Sequence, residues 1–182
     1  AADPFDPAYR FDDLDEFDVI DALNSLVQKS LLNSDRQHGR ALFSMLESIR
    51  LFAAEQLQLS GIALDAYSRF CSHYAAQCRH HLHDWMTPHQ RDAVEWFELE
   101  FNNLRSAYRS ALGLGRLDDA TTIAVRAVVV AALSFSIEPV DWCAELLRIE
   151  ETVGLDELHL LYAGASHGSF LGSDLDEAVV LG

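Results

Sequence analysis

Asp18-Val19-Ile20-Asp21-Ala22-Leu23-Asn24-Ser25-Leu26-Val27-Gln28-Lys29-Ser30-Leu31-Leu32 is the stretch whose reading decides the fold. Apolar positions recur at Val19/Ile20, Leu23, Leu26/Val27 and Ser30/Leu31, a spacing of three to four that gathers them on one helix face. Asp18 is placed to cap that helix, because a carboxylate accepts from the free N–H groups and suits the positive end of the helix dipole. The polar run Asn33 to Arg40, containing Gly39, then leads to the apolar patch Ala41-Leu42-Phe43. Two short apolar runs around a polar turn predict a hairpin over about 31–44. A second helix is expected from apolar positions Met45/Leu46, Ile49, Phe52/Ala53 and Leu57, with Ser60-Gly61 as a glycine stop. Helix, hairpin and helix in this order make the second half of a winged-helix domain.

Downstream, the pattern is helical throughout. One helix is expected over 64–84, ending before Thr87-Pro88, and one or two over 89–112. Gly113-Leu114-Gly115 interrupts the pattern, and further helices are expected at about 117–135, 140–152, 156–168 and from 174 onward. Two joints resemble one another, Leu117-Asp118-Asp119-Ala120 and Leu175-Asp176-Glu177-Ala178, each opening a helix with acids. Short helices that cannot bury a face alone suggest stacked repeats. The expected fold class is therefore mainly α: a partial winged helix with a small β-hairpin, followed by an irregular, tetratricopeptide-like helical array. The expected divisions are an acidic N-terminal segment over 1–17, a winged-helix-like part over 18–62 and the array over 63–182, incomplete at its C-terminal end.

Charge narrows the function classes. The formal net charge is −16, and eight acids fall within the first 21 residues against Arg10 alone. Such a surface repels phosphate, which disfavours broad nucleic-acid or anionic-membrane binding. The most apolar stretch, Ile123 to Phe135, contains Arg126 and falls short of the ~20 residues needed to span a bilayer. Cys71, Cys78 and Cys143 are odd in number and lack a disulfide-framework spacing. With no N-terminal signal pattern, the expected location is the reducing cytoplasm.

Catalytic and metal motifs fare poorly. Lys29, the single lysine, follows Gln28 rather than glycine, so the chain has no phosphate-binding P-loop. Gly164-Ala165-Ser166-His167-Gly168 has nucleophile-elbow spacing, yet no histidine follows it and no strand-helix alternation precedes it. The expectation is instead that its small residues let two helices approach closely. His73, His80, His81, His83 and His89, with Cys71 and Cys78, invite a metal reading. His80 and His83 share helical ligand spacing, but no coherent four-ligand set emerges, so a solvated polar face is expected. Trp85, Trp96, Phe97, Phe101, Tyr108 and Trp142 recur at core spacing, with Trp85 beside Pro88 the one expected to be exposed. No catalytic residue, metal ligand or cofactor site is expected in this chain, and it is read as non-enzymatic.

The stretch 21–32 and the segment Met45-Leu46-Glu47-Ser48-Ile49-Arg50-Leu51-Phe52-Ala53-Ala54-Glu55-Gln56-Leu57 together resemble a known signature. It is "DALxxLVxKSLL … xLETIRxYAxExL", found in AfsR-like and LuxR-type STAND regulators, including actinobacterial ones fused to adenylate cyclase domains. His73-Tyr74 and Glu100-Phe101-Asn102-Asn103-Leu104-Arg105-Ser106-Ala107, close to "ExDNLRxA", extend the resemblance in order across 18–112.

The resemblance implies a P-loop ATPase core preceding a winged helix, with a tetratricopeptide-like sensor array following it. ATP or ADP would bind only that absent core, and its exchange would reorient the winged helix and array to switch an output. The implied partners are the ATPase core and a protein or small-molecule effector on the array, with no membrane. Related plant and animal proteins carry Met-His-Asp where this chain has Met45-Leu46-Glu47, and their histidine contacts the ADP phosphate. Leu46 cannot donate a hydrogen bond, so position carries over and chemistry does not.

The alternative is a DNA-binding winged helix, with 18–32 entering the major groove. Its polar side chains are Asp18, Asp21, Asn24, Ser25, Gln28 and Lys29, acidic at the leading end, while Arg36 and Arg40 could reach phosphate. The phosphate term dominates affinity and is unfavourable here, so DNA is not the expected partner of this segment.

Overall fold

The computed structural model describes residues 15–37, 40–85, 87–134, 137–149 and 156–171. The chain separates into two compact units, residues 1–64 and 65–182. The described part is mainly helical, with one two-stranded antiparallel sheet, in agreement with the expected fold class.

In the first unit, α1 (Glu16–Gln28) is followed by β1 (Asn33–Gln37), β2 (Arg40–Ser44) and α2 (Glu47–Leu59). Asp18 is not the cap of α1. Asp15 is, and Asp18 is its reciprocal partner: the Asp18 N–H donates to Asp15 Oδ1 at 2.9 Å and the Asp15 N–H to Asp18 Oδ2 at 3.2 Å. This capping box satisfies two otherwise free donors, which is why the helix starts earlier than a single cap at Asp18 predicts. At the other end Ser30 adopts φ 58°, with its N–H on the Val27 carbonyl and the Leu31 N–H on Leu26. That is a Schellman stop with serine where glycine is usual, and it ends the helix before Leu31.

The hairpin also departs from expectation. Its first strand is the polar run itself, Asn33–Gln37, paired with Arg40–Ser44 in the register Asn33↔Ser44 through Gln37↔Arg40. Leu31 and Leu32 precede the strand, and Leu32 is buried. The strand side chains from Asn33 to Arg36 are exposed, so no alternation marks them. Turn residues His38 and Gly39 lie outside the described residues. The second helix ends where expected, with Ser60 as C-cap and Gly61 at φ 77°.

The second unit contains α3 (Ala63–Trp85), α4 (Gln90–Gly113), α5 (Leu117–Ser134), α6 (Glu138–Leu146) and α7 (Leu158–Leu171). Gln90–Gly113 is a single helix, and α6 stops before the expected 152. Most of residues 1–17, the helix expected from 174 and the joint at Leu175-Asp176-Glu177-Ala178 lie outside the described residues. Here α5 packs on α4, α6 and α7, and α6 also packs on α7. Trp142 is the keystone of α6. It is fully buried and stacks on Tyr108 at 4.7 Å and Phe101 at 5.9 Å between ring centroids, both from α4. The Tyr108 hydroxyl donates to the Trp142 carbonyl at 3.1 Å, while the buried Trp142 Nε1–H has no hydrogen-bond partner among the described residues. Arg105–Glu138 and Arg109–Glu145 ion pairs close the rim of the α4–α6 seam.

Candidate functional site

Two places on the described surface stand out. The first is the surface of the first unit. Among residues 15–64 whose side chains are described, only Leu32 and Ala63 are buried. Leu23, Leu26 and Val27 are half-buried, whereas Phe17, Val19 and Ile20, in the N-terminal half of α1, lie open. Helix α2 exposes Leu51, Phe52 and Leu59, the last at 75%. Apolar faces of this size are retained against water only at a cost, and clustered ones mark interaction surfaces. By contrast, the polar side of α1 is acidic at its leading end, where Asp18 and Asp21 are exposed and Asp18 is held in the capping box, with Asn24, Gln28 and Lys29 exposed beyond them. Arg36 and Arg40 stand exposed on adjacent strands of the hairpin.

Met45-Leu46-Glu47 forms the entrance to α2. Leu46 is its N-cap residue by backbone geometry, is 60% exposed and makes no side-chain cap. Glu47 is the first helical residue and pairs with Arg50 at 2.5 Å, which holds its carboxyl below the usual range. Leu46 thus offers no polar group to a phosphate.

The second place is a cleft in the second unit. It encloses about 310 Å³ and is lined by Arg79, Asp118, Thr121, Thr122, Asp156 and Glu157. Arg79 Nη2, from α3, donates to Thr122 Oγ1 at 3.0 Å, and the Thr122 hydroxyl in turn reaches Glu157 Oε2 at 3.4 Å. Arg126, one turn beyond Thr122, forks onto the same carboxylate at 2.8 and 2.6 Å. Thr121 is buried on the cleft floor, and its hydroxyl has no partner among the described residues. An orphaned buried hydroxyl costs on the order of 1–3 kcal/mol. Sequence reading missed this cleft, although Thr121-Thr122 at the head of an apolar helix was a signal that hydroxyls enter the core there.

Hydrogen bonding from Arg126 holds the Glu157 carboxyl below its ordinary range, despite the opposing effect of burial. Glu138 is lowered in the same way by Arg105. A depressed folded pKa contributes stability that is present above the unfolded value, about 4.3, and lost as pH falls through the folded value. The thermal midpoint of the chain should therefore drop as pH is lowered from about 4.3, and Glu157→Gln should remove part of that slope. A midpoint followed by circular dichroism that stays flat on acidification would contradict this.

Gly164 to Gly168 lie inside α7, and Ser166 Oγ donates to the Ala163 carbonyl at 3.1 Å, so the strand-turn-helix setting of a nucleophile elbow is absent there. The side chain of His167 lies outside the described residues. Cys71, Cys78 and Cys143 are buried free thiols, and burial pushes Cys78 and Cys143 up to about 12. No three His, Cys, Asp or Glu side chains converge as metal ligands among the described residues. His81 stacks on Trp96 at 4.2 Å rather than facing water, while His83 and His89 are exposed. Trp96, Phe97, Tyr108 and Trp142 are buried; Trp85, expected to be exposed, is half-buried against the same core, as is Phe101. No described helix is long and apolar enough to cross a membrane.

Over 112 residues, 62% of the chain, it is 37% identical to proteins of Mycobacterium tuberculosis and Mycobacterium bovis, each named "Putative HTH-type transcriptional regulator". The match spans 12% of the length of those relatives. The chain is thus similar to a small part of much larger proteins carrying that name. No protein-family profile and no solved structure matches it.

Proposed function

We propose that this chain is a non-catalytic regulatory and interaction part of a STAND-type transcriptional regulator of the AfsR-like or LuxR-type kind, acting in the cytoplasm. Its helical array takes an effector, and its winged-helix part couples that event to the nucleotide state of a P-loop ATPase core elsewhere in the polypeptide. The observation that carries this reading is the contrast between the units: an ordinary apolar core in the second, and two amphipathic helices with open apolar faces in the first. A surface of that kind suits packing against another protein domain better than exposure to water. The mycobacterial relatives, far longer than the match, supply room for such a core.

A DNA-binding winged helix is the second reading, favoured by the helix-turn-helix name of the relatives and by Arg36 and Arg40 on the hairpin. Gel retardation at moderate salt separates the two. The chain is expected to leave duplex DNA unshifted, because Asp15, Asp18 and Asp21 face the phosphates in that pose. Sequence-selective retardation, lost in Arg36→Ala/Arg40→Ala, would favour the second reading instead.

A further inference from the structure

We infer that the open stripe of α2 docks a basic amphipathic helix, one that lays apolar side chains on Leu51, Phe52 and Leu59 and an arginine on Glu55. The spacing builds a single face. Leu51 and Phe52 lie one turn before Glu55 and Leu59 one turn after it, so apolar side chains flank the carboxylate along the helix on both sides. Leu51 is 57% exposed, Phe52 60% and Leu59 75%, and Glu55 is open between them. Glu55 has neither an ion-pair nor a hydrogen-bond partner among the described residues, whereas Glu47 on the same helix is paired with Arg50.

Glu55 decides what can cover the stripe. A partner that takes these apolar side chains out of water takes the carboxylate out with them, and a buried carboxylate without a partner is strongly destabilising. A purely apolar partner is therefore disfavoured, and a cation must arrive together with the apolar contacts. Arginine suits the position, because its fork pairs bidentately with a carboxylate and its plane stacks on an aromatic face such as Phe52. A helix suits the stripe, because its own rows of side chains repeat at the same spacing of three and four. A second copy of this chain would bring another Glu55 and a further net charge of −16 to the contact. A lipid surface would leave the carboxylate unpaired among apolar tails. The source of the helix is another part of the same long polypeptide, since the matched relatives extend far beyond the 12% of their length that the match spans. That source rests on the regulatory reading above; the docking chemistry does not.

The probe is a synthetic amphipathic peptide of leucine, alanine and glutamine with one arginine midway along its leucine face, and its control carries glutamine there. Titrated with the 182-residue chain and followed by fluorescence anisotropy, the arginine peptide should bind about tenfold more tightly than the control. Glu55→Gln should remove that preference, whereas Asp21→Asn, which deletes the same charge from α1, should keep it. Phe52→Ser/Leu59→Ser should weaken both peptides. Equal affinity for the two peptides, a preference that survives Glu55→Gln, or binding of the chain to phosphatidylcholine vesicles in place of either peptide would overturn the docking site. In the full-length polypeptide, amides of residues 47–59 should exchange more slowly than in the separate chain, and Glu55→Gln should speed them. Equal exchange in the two would overturn the intramolecular source. Slowed exchange that is indifferent to nucleotide would uphold the docking and count against the regulatory reading alone.

Discussion

Replacing Trp142 by alanine is expected to destabilise the second unit by about 3–5 kcal/mol, the usual range for losing a buried aromatic. The residue has no exposed surface, and its ring is stacked on Tyr108 with Phe101 beyond it. Truncation leaves a void bounded by α4 and α6, two helices whose remaining polar links are the Tyr108 hydroxyl on the residue-142 carbonyl and the rim ion pairs. Those pairs are partly exposed and contribute roughly 0–1 kcal/mol each, too little to hold the seam alone. Loss of near-ultraviolet ellipticity at temperatures where the parent is folded is the expected result. Trp142→Phe should recover much of the stability, because it keeps a stacked ring. An alanine variant with an unchanged urea midpoint would show that α6 does not depend on this ring.

The second large effect is expected at Gly164. A Cβ built there would stand 2.8 Å from Cys143 Sγ, 3.4 Å from Cys143 Cβ and 3.5 Å from Val128 Cγ2. Cys143 is itself fully buried, so its sulfur has no free space to swing into. Gly164→Val should cost about 2–3 kcal/mol by overpacking, set against a gain of a few tenths from helix propensity. Gly164→Ala brings the same Cβ against Cys143 and should also destabilise, by less than valine because its bulk is smaller and its propensity gain larger. The diagnostic result is coupling: Gly164→Val combined with Cys143→Ala should be less unstable than the two single changes predict, and strict additivity would rule out this contact. The same geometry gives the first glycine of the Gly-x-Ser-x-Gly string a packing role, in the close approach of α6 and α7.

The helical pattern of this chain was legible because its core faces repeat regularly. Trp96, Phe97, Leu104, Tyr108 and Ala111 fall on one side of α4, and all are buried. Boundaries were less legible where polar groups set them. The Asp15–Asp18 capping box moved the start of α1, and the left-handed Ser30 moved its end, neither of which apolar periodicity registers. Strand β1 was read as turn because Asn33 to Arg36 face water on an exposed hairpin and pair through backbone alone. The cleft was invisible for a different reason. Arg79, Thr122 and Glu157 meet from separations of 43 and 35 residues, so only helix packing brings them together.

In the proposed regulator, Met45-Leu46-Glu47 stands where relatives of the resembled family would sense nucleotide. An exposed leucine at the head of α2 cannot hydrogen-bond a phosphate, so the proposed coupling to nucleotide runs through packing of the open apolar faces of α1 and α2. Hydrogen exchange in the full-length polypeptide, measured with ATP and with ADP bound, tests this most directly. Amides of residues 16–28 and 47–59 are expected to change protection between the two nucleotides, with Leu51→Ser/Phe52→Ser abolishing the difference. Identical protection of both helices in the two states would contradict the proposed coupling.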